Sequence, residues 1–516
     1  MNRATLSLAA AVTALAAVTG FAALTAPGAD SGTAAAAKAP TRLPVERSSL
    51  LCPAPSNSEV AETVYTSFTP AGGAQGAGAG TGEAAGRAEL KPSAATSDAT
   101  TADPGKANTP KKAPAADKPV LTLTQPGRPV SAEADGGDAP ALVGAASGRL
   151  APGWTTQQTT KVPAGGGRGM LGVSCTAPDT DFWFPGASTV AQRADYVHLT
   201  NPDDTATVVD IELFGPGGAL KSQVTDGVTV PARSDVPVLL STLTADPAAE
   251  DVTVHVTTRS GRVGAVVRSA DEKLGSDWLA ASADPAGSLV LPGIPADATS
   301  VRLVAYAPGE DDAELSIRLA GPTGTITPAA AESLHVKSGM TAAVDLQDVT
   351  RGEAGSLLLT PLRKGRATPV VAALRVVRGK GDDQEVAFIP ATGPVGERAT
   401  VADNRAKGTT LSLTAPAEGA EVKVTASAGT EGGTPATTTY KIKSGTTLAV
   451  TPPVPAGLKG SYALTVETVS GGPVHAARTL AEPDDGLPMF TVQTLADDRG
   501  TVEVPVAGQD LSVLDD

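Results

Sequence analysis

The chain has 516 residues and a formal net charge of −15, with 40 lysines and arginines against 55 aspartates and glutamates. An acidic chain repels phosphate backbones, which argues against general nucleic-acid binding. Aromatic residues make up 3 % of the chain, and there are four histidines and two cysteines, which leaves little for a metal cluster or an aromatic sugar platform. The length suffices for three or four domains of ~100–200 residues each.

The N-terminal segment has the form of an export signal, because one basic residue, Arg3, precedes the uncharged run Ala4–Ala26. The run is long enough for a spanning helix of ~20 residues, but its Ala and Thr partition weakly into lipid. We therefore predict either a signal peptide or a signal-anchor helix in residues 1–27, followed by a tether in 28–44. The rest of the chain is expected to be extracytoplasmic, either secreted or held at the cytoplasmic membrane by this segment alone.

Two cysteines in an exported chain usually pair. Cys52 and Cys175 would close a loop of more than a hundred residues, for which the chain-entropy argument gives at most ~5 kcal/mol of stabilisation. A lipidated Cys52 is the alternative, but Leu50 and Leu51 stand where a lipidation site has small residues. The sequence predicts a disulfide.

Two kinds of segment follow the N-terminus. Residues 70–118 contain almost no large apolar side chains, so they cannot offset their ordering entropy and are predicted to be a disordered insertion. The other segments are short, alternate apolar with polar residues and are separated by Gly, Pro and Asp, as in 207–213, 252–256 and 421–424. This pattern predicts strands with one buried face, arranged in β-sandwiches.

An internal repeat has a period of about 106 residues. The recurring pairs are Asn201-Pro202 with Ala307-Pro308, Gly215-Pro216 with Gly321-Pro322, and Val336-Lys337-Ser338-Gly339 with Ile442-Lys443-Ser444-Gly445. Each unit is expected to end on an apolar-Pro pair, namely Phe184-Pro185, Leu291-Pro292 and Ile389-Pro390.

The repeat predicts an all-β chain of tandem immunoglobulin-like β-sandwich domains, because ~100 residues suffice for a sandwich to bury its own core. The expected domains are 45–185, a degenerate copy that contains the insertion, then 186–292, 293–390 and 391–516. We expect rigid units in series, joined by short Pro-containing links. The alternative is a propeller of seven or eight blades, whose period would be shorter, ~40–50 residues.

No reactive centre is predicted. The histidines, His198, His255, His335 and His475, lie inside strand patterns without the spacing of a zinc site. The segment 172–176 lacks the last glycine of a hydrolase nucleophile elbow, and 165–169 lacks the ending of a phosphate loop. We expect no catalytic, cofactor-binding or metal-binding residue and no cofactor.

Acidic residues recur in predicted turns, at Asp203-Asp204, Glu310-Asp311-Asp312, Asp382-Asp383 and Asp484-Asp485. Calcium between tandem extracellular sandwiches is bound by such oxygen clusters. None has the spacing of an EF-hand, so we interpret them as solvated turns.

Tryptophans are the aromatic residues best suited to ligand contact. Trp183 and Trp278 occupy related late-strand positions and are predicted to pack in the core or between domains. Trp154 lies in a turn-like context after Pro152-Gly153, and it is the candidate for ligand contact.

Several segments carry a family resemblance: Leu50-Leu51-Cys52-Pro53-Ala54-Pro55, Asp179-Thr180-Asp181-Phe182-Trp183-Phe184, Leu199-Thr200-Asn201-Pro202 and Gly275-Ser276-Asp277-Trp278-Leu279. Together with the leader, they resemble a family of exported actinobacterial, Streptomyces-like proteins that is catalogued only as a domain of unknown function. The resemblance covers most of the chain after about residue 45. It implies a location in the cell envelope and no catalytic residues.

These features predict a non-catalytic, extracytoplasmic scaffold or interaction protein of the cell envelope. Its partner would be a cell-envelope protein or glycan, and the membrane would be contacted only through the N-terminal segment. The alternative is a cell-wall glycan-binding module, which the sparse aromatic residues argue against. A hydrolase with an unrecognised site is a third hypothesis.

Overall fold

The computed structural model describes residues 41–72, 86–93, 118–363 and 365–504. These residues form 38 strands and two three-residue 3-10 turns, which lie at Gly148–Leu150 and Leu240–Thr242. The prediction of an all-β chain is confirmed for them. Within the same ranges, no helix has the length and apolar character needed to cross a membrane. The predicted N-terminal signal or anchor helix lies outside the described residues.

The chain divides into two compact units. The smaller unit consists of residues 1–43 and 502–516. Its described residues lie in the two-stranded ribbon that β1 (Thr41–Pro44) forms with β38 (Thr501–Val504). The end of the predicted tether is therefore a strand. The larger unit spans 44–501 and contains β2 to β37.

Eight sheets of the larger unit form four pairs, and each pair encloses a hydrophobic cluster between its sheets. The strands of the first pair are β2 (Arg47–Cys52), β3 (Glu62–Phe68), β4 (Ala88–Pro92), β5 (Leu121–Leu123), β6 (Val130–Asp135), β7 (Leu142–Ser147), β8 (Thr155–Val162) and β9 (Gly169–Ser174). Its sheets have the orders β2-β7-β4-β5 and β6-β3-β8-β9.

The second pair follows in the chain. Its strands are β10 (Asp181–Ala187), β11 (Arg193–Thr200), β12 (Thr207–Gly215), β13 (Gly218–Ala219), β14 (Val228–Val230), β15 (Asp235–Leu239), β16 (Val252–Thr258), β17 (Gly264–Asp271) and β18 (Gly275–Leu279). One sheet has the order β10-β16-β12, with β13 and β14 both on the far side of β12, and the other has the order β15-β11-β17-β18.

The third pair has the same plan. Its strands are β19 (Leu289–Ile294), β20 (Ala298–Tyr306), β21 (Ala313–Ala320), β22 (Thr325–Ile326), β23 (Ser333–Val336), β24 (Thr341–Gln347), β25 (Gly355–Pro361), β26 (Val371–Lys380) and β27 (Asp383–Pro390). The sheet orders are β19-β25-β21, with β22 and β23 beyond β21, and β24-β20-β26-β27.

The fourth pair has one long edge strand where the second and third have two short ones. Its strands are β28 (Arg398–Asn404), β29 (Thr409–Ala415), β30 (Ala420–Gly429), β31 (Gly432–Thr434), β32 (Ala436–Ile442), β33 (Thr446–Val450), β34 (Ala456–Lys459), β35 (Tyr462–Gly471), β36 (His475–Ala481) and β37 (Phe490–Leu495). The sheets are β28-β35-β30-β32 and β33-β29-β36-β37, and β31 pairs with β34 in a separate ribbon.

Alternating side chains build these sheets as the sequence pattern requires. In β12, Val209, Ile211 and Leu213 are buried in the cluster of the second pair, whereas Asp210 and Glu212 between them are more exposed. A strand places successive side chains on opposite faces, so this period of two gives one apolar face and one polar face.

At two of the predicted domain boundaries, the next sheet pair already begins a few residues before the boundary. β10 contains Phe184 and Pro185, and it pairs with β16 of the second pair. β19 contains Leu291 and Pro292, and it pairs with β25 of the third pair. These two apolar-Pro pairs therefore lie in the first strand of a sheet pair. The boundaries of independently folding domains stay a prediction.

The predicted disordered insertion, 70–118, is wrong for residues 86–93. β4 lies in this segment as a central strand between β7 and β5, and its Ala88 and Leu90 are fully buried. Five residues of alternating burial are enough for a strand when neighbouring strands pair with both of its edges. The Ala- and Gly-rich residues around β4 make this short pattern hard to recognise in the sequence. Residues 73–85 and 94–117 lie outside the described part of the chain.

Candidate functional site

The last strands of the four pairs meet at one centre. β9 lies against β18, β18 against β27, β27 against β37, and β37 against β9. Each of these strands is the edge of its own sheet, so the four edges cover one another. The sheet pairs therefore form a closed cycle within residues 44–501, and the expectation of units in series is wrong.

Arg168 joins three of the pairs. It lies in the turn before β9, and its guanidinium donates to Glu385 Oε1 at 3.0 Å and to the carbonyl oxygen of Gln384 on β27. It also donates to the carbonyl oxygen of Lys273, just before β18, at 2.7 Å. One side chain thus links the first pair to the second and the third.

Glu385 is fully buried beside this guanidinium. Its Oε1 is used by Arg168, whereas its Oε2 has no hydrogen-bond partner among the described residues. Burial raises the pKa of Glu385 to about 7, although the charge of Arg168 opposes the shift. Gly275, with φ 83°, lies so close to Oε2 that a Cβ atom would overlap it. The contact of β18 with β27 therefore requires glycine here.

Asp277 connects three pairs by hydrogen bonds. This β18 residue is fully buried, and its Oδ1 accepts from the backbone N–H of Gly172 on β9 at 3.0 Å. Its Oδ2 accepts from the hydroxyl of Thr491 on β37, also at 3.0 Å. Burial raises the pKa of Asp277 well above the ordinary value of an aspartate, and these hydrogen bonds act in the opposite direction. A buried carboxyl group with such partners specifies how the strands meet.

Arg478 is a buried cation in the fourth pair. It lies on β36 and is 0 % exposed, and none of its guanidinium nitrogens has a hydrogen-bond partner in the described ranges. Burial lowers the pKa of Arg478 to about 10, and the charge of Asp403 acts against this shift. Asp403 is itself fully buried and pairs with Arg405 at 3.3 Å. The centre therefore contains buried charges that are costly to desolvate.

The predicted disulfide between Cys52 and Cys175 is confirmed. Cys52 ends β2, and Cys175 directly follows β9, so the bond joins the two sheets of the first pair. The Cα atoms are 4.5 Å apart and the cysteines are separated by 123 positions in the chain. The bridge holds β9 near the centre to the opposite sheet.

Trp154 has no open ring face for a ligand. Its side chain is 5 % exposed and belongs to the hydrophobic cluster of the first pair. The indole N–H donates to Ser67 Oγ at 2.8 Å, and the ring lies so close to Gly144 that a Cβ there would be 2.6 Å from it. This placement supports packing and does not support the predicted ligand contact.

The other two tryptophans lie between sheet pairs. Trp183 on β10 stacks on His255, with 3.6 Å between ring centroids, and on Tyr306 of the third pair at 5.5 Å. Trp278 on β18 packs with Leu171 of the first pair. The prediction that these residues pack in the core or between units agrees with these contacts.

The four histidines do not converge on one site. Their shortest polar contacts are His198 to Asp235 at 3.3 Å, His255 to Asp181 at 3.0 Å, His335 to Glu314 at 2.8 Å, and His475 to the carbonyl oxygen of Thr392 at 3.0 Å. Burial lowers the pKa of His475. In the part of the chain that the structure describes, no group of three or more His, Cys, Asp or Glu side chains could hold a metal ion.

One polar depression opens on the third pair. It is lined by Glu310, Asp311, Asp312, Glu314, His335, Arg363, Arg366 and Thr368. Its lining combines one predicted acidic turn with two arginines from the segment between β25 and β26. Carboxylates and guanidinium groups side by side offer both acceptors and donors to a polar ligand.

Sequence reasoning missed the central residues. In the sequence, Arg168 stands only within the glycine-rich segment 165–169, and no motif marks Asp277, Glu385 or Arg478 as site residues. A signal was present, because a charged residue interrupts an otherwise uncharged strand at Asp277 and at Arg478. Such residues are normally interpreted as exposed, since charged side chains are rarely buried without a partner.

A known protein family matches more than half of the chain. A family described as a family of unknown function, DUF5719, matches residues 130–453. The match begins in β6 of the first pair and ends just after β33 of the fourth, so it includes the second and third pairs completely. No curated protein matches the chain.

Proposed function

Because the chain belongs to the DUF5719 family of unknown function, we propose its function from its own residues: it is a non-catalytic scaffold or interaction protein of the cell envelope. The observation that carries the proposal is the cycle of β9, β18, β27 and β37. A protein that holds surfaces at fixed positions needs such mutually covered edges, because two modules with a small polar interface move relative to each other.

The buried side chains at the centre support a fixed arrangement. The guanidinium of Arg168 in the first pair contacts the second and third pairs. Asp277 in the second pair accepts hydrogen bonds from strands of the first and fourth. Separating the first or the second pair from its neighbours would expose apolar surface and leave at least one of these buried polar groups without a partner. The pairs are therefore expected to move as one body.

The proposal also assigns a domain type to the four sheet pairs and a role to the N-terminal segment. Each sheet pair is an immunoglobulin-like β-sandwich domain, and residues 1–27 are an export signal or an anchor helix. The disulfide supports an extracytoplasmic location, since such bonds persist mainly in oxidising compartments. We also propose that the family is actinobacterial and that the partner of the chain is a protein or glycan of the envelope.

The test combines location with partner capture. A tagged full-length chain should fractionate with the envelope or the medium with Cys52 and Cys175 oxidised, and cross-linking in intact cells should capture an envelope component. A chain found in the cytoplasm with both thiols reduced would contradict the location. Turnover in a peptidase or glycosidase screen, lost on mutation of a polar residue of the chain, would contradict a non-catalytic role.

A second candidate function is cell-wall glycan binding, and the polar depression on the third pair favours it. The double substitution of His335 and Arg366 by alanine should reduce retention on purified cell wall at least severalfold. A matched double substitution of the exposed Lys407 and Arg351 by alanine, both outside the depression, should leave it unchanged. Equal retention of both variants and the wild type would exclude the depression as the binding site.

A further inference from the structure

Exposed sheet edges are points at which another chain can pair, and most edges of this protein are protected. β6 carries the exposed carboxylates Glu133 and Asp135, β15 contains Pro237, and β24 is bulged where it pairs with β20. The backbone of Thr447 on β33 donates to Gly321 of the third pair. The edge strands that pair with the outer sides of β4, β12 and β21 have only two to four residues each; they are β5, β13, β14, β22 and β23.

β32 differs from the edges named above. It pairs with β30 without a break, from Ala420↔Ile442 to Ala426↔Ala436, and no other described strand pairs with its outer side. Thr437, Thr438 and Thr439 are exposed. The strand has no proline and no bulge with β30, and Lys441 near its end is its only charged residue.

We infer that β32 is a self-association edge, which pairs in antiparallel orientation with β32 of a second copy of the chain. The inference is independent of the proposed scaffold function. Thr437 and Thr439 flank Thr438 symmetrically, so antiparallel pairing about Thr438 sets threonine opposite threonine, a favourable cross-strand pair. The two four-stranded sheets would then become one continuous sheet.

Charge favours the same partner and orientation. The segment that leads into β32 carries Glu431, whereas Lys441 and Lys443 lie at its other end. Antiparallel pairing brings the basic end of each strand to the acidic end of the other, which a parallel arrangement would not do. A single shared edge buries little surface, so association should be weak and dependent on concentration.

The test is sedimentation velocity of the full-length protein over a wide concentration range at ~0.15 M salt, an ionic strength that screens much of the long-range repulsion between two acidic chains. The wild type should show a reversible monomer–dimer equilibrium. Thr438→Lys and Thr438→Glu each set two like charges near the two-fold axis, and each should weaken dimerisation at least tenfold. An equimolar mixture of the two variants should recover the dimer, because opposite charges then face each other.

The control is Thr229→Lys on β14, an exposed edge residue of the second pair, and it should leave the equilibrium unchanged. A wild type that stays monomeric at every concentration would overturn the inference. Variants at Thr438 that dimerise as strongly as the wild type would also overturn it, and would point to association through another part of the chain.

A covalent readout is also possible, because both native cysteines are bonded to each other. Mild oxidation of the Thr438→Cys variant should give a disulfide-linked dimer, whereas Thr229→Cys should stay largely monomeric. Equal yields of linked dimer from the two variants would contradict the inference. Neither outcome bears on the location or the non-catalytic role proposed above.

Discussion

Glu385 couples the stability of the centre to pH. Burial raises the pKa of Glu385 to about 7, so the folded state favours the protonated carboxyl group. The stabilisation from this group is complete below its ordinary pKa of ~4.3 and is lost as pH rises through 7. Asp277 has a raised pKa for the same reason, and its contribution has the same sign.

The substitution Glu385→Gln should remove this pH dependence. Between pH 5 and pH 8, the free energy of unfolding of the wild type should fall by about 2–3 kcal/mol more than that of the variant. Urea unfolding at several pH values measures the difference. Identical slopes in the two proteins would show that Glu385 does not titrate in this range.

Arg478 is expected to cost stability. Since its guanidinium is buried without a hydrogen-bond partner in the described ranges, Arg478→Met should leave the free energy of unfolding unchanged or raise it by about 1 kcal/mol or more. The matched substitution Arg405→Met removes the partner of buried Asp403 and should lower it by about 3 kcal/mol. Denaturant unfolding at pH 7 compares them, and a large loss in the Arg478 variant would contradict this prediction.

At the level of elements, the approach of β9 to β37 depends on Gly172. A Cβ atom there would overlap the side chains of Gln493 and Thr491. The substitution Gly172→Ala should therefore lower the free energy of unfolding by about 1–3 kcal/mol. Gly166, which has no neighbour within 4 Å of a Cβ position, is the control, and alanine there should be nearly neutral. Equal effects at the two positions would show that β9 can shift at little cost.

Strands with one buried face could be predicted from the sequence, and strands buried on both faces could not. β12 follows its alternation, whereas β8, with the sequence Thr155–Val162, is mostly polar and yet mostly buried. β8 packs against its own pair on one side and against β28 of the fourth pair. Alternation reports one buried face, so it contains no information on a second. The disulfide could be predicted because two cysteines in an exported chain usually pair. The centre formed by Arg168, Asp277 and Glu385 could not, because alternation does not show that a second face of a strand is buried.

At the scale of the larger unit, neighbouring pairs share their hydrophobic clusters. Val377 and Phe388 of the third pair belong to the cluster of the second, and Phe490 and Val492 of the fourth belong to that of the third. If the third pair were isolated, its Val377 and Phe388 would lose the cluster of the second pair in which they are buried. Its own cluster would lose Phe490 and Val492.

We therefore expect residues 44–501 to unfold in one cooperative transition. Differential scanning calorimetry should give a single peak whose calorimetric and van't Hoff enthalpies agree. The isolated segment 286–392 should melt at least 10 °C lower or fail to fold. Several resolved transitions, or an isolated segment as stable as the whole, would indicate that the pairs are independent.

The bond between Cys52 and Cys175 has a consequence for proteolysis. A protease that cuts the backbone once between these residues does not release either fragment, because the sulfur atoms still hold them together. The loop of the first pair can thus be nicked while its two sheets stay attached. Electrophoresis of a digested sample would show an intact band without reductant and two pieces with it.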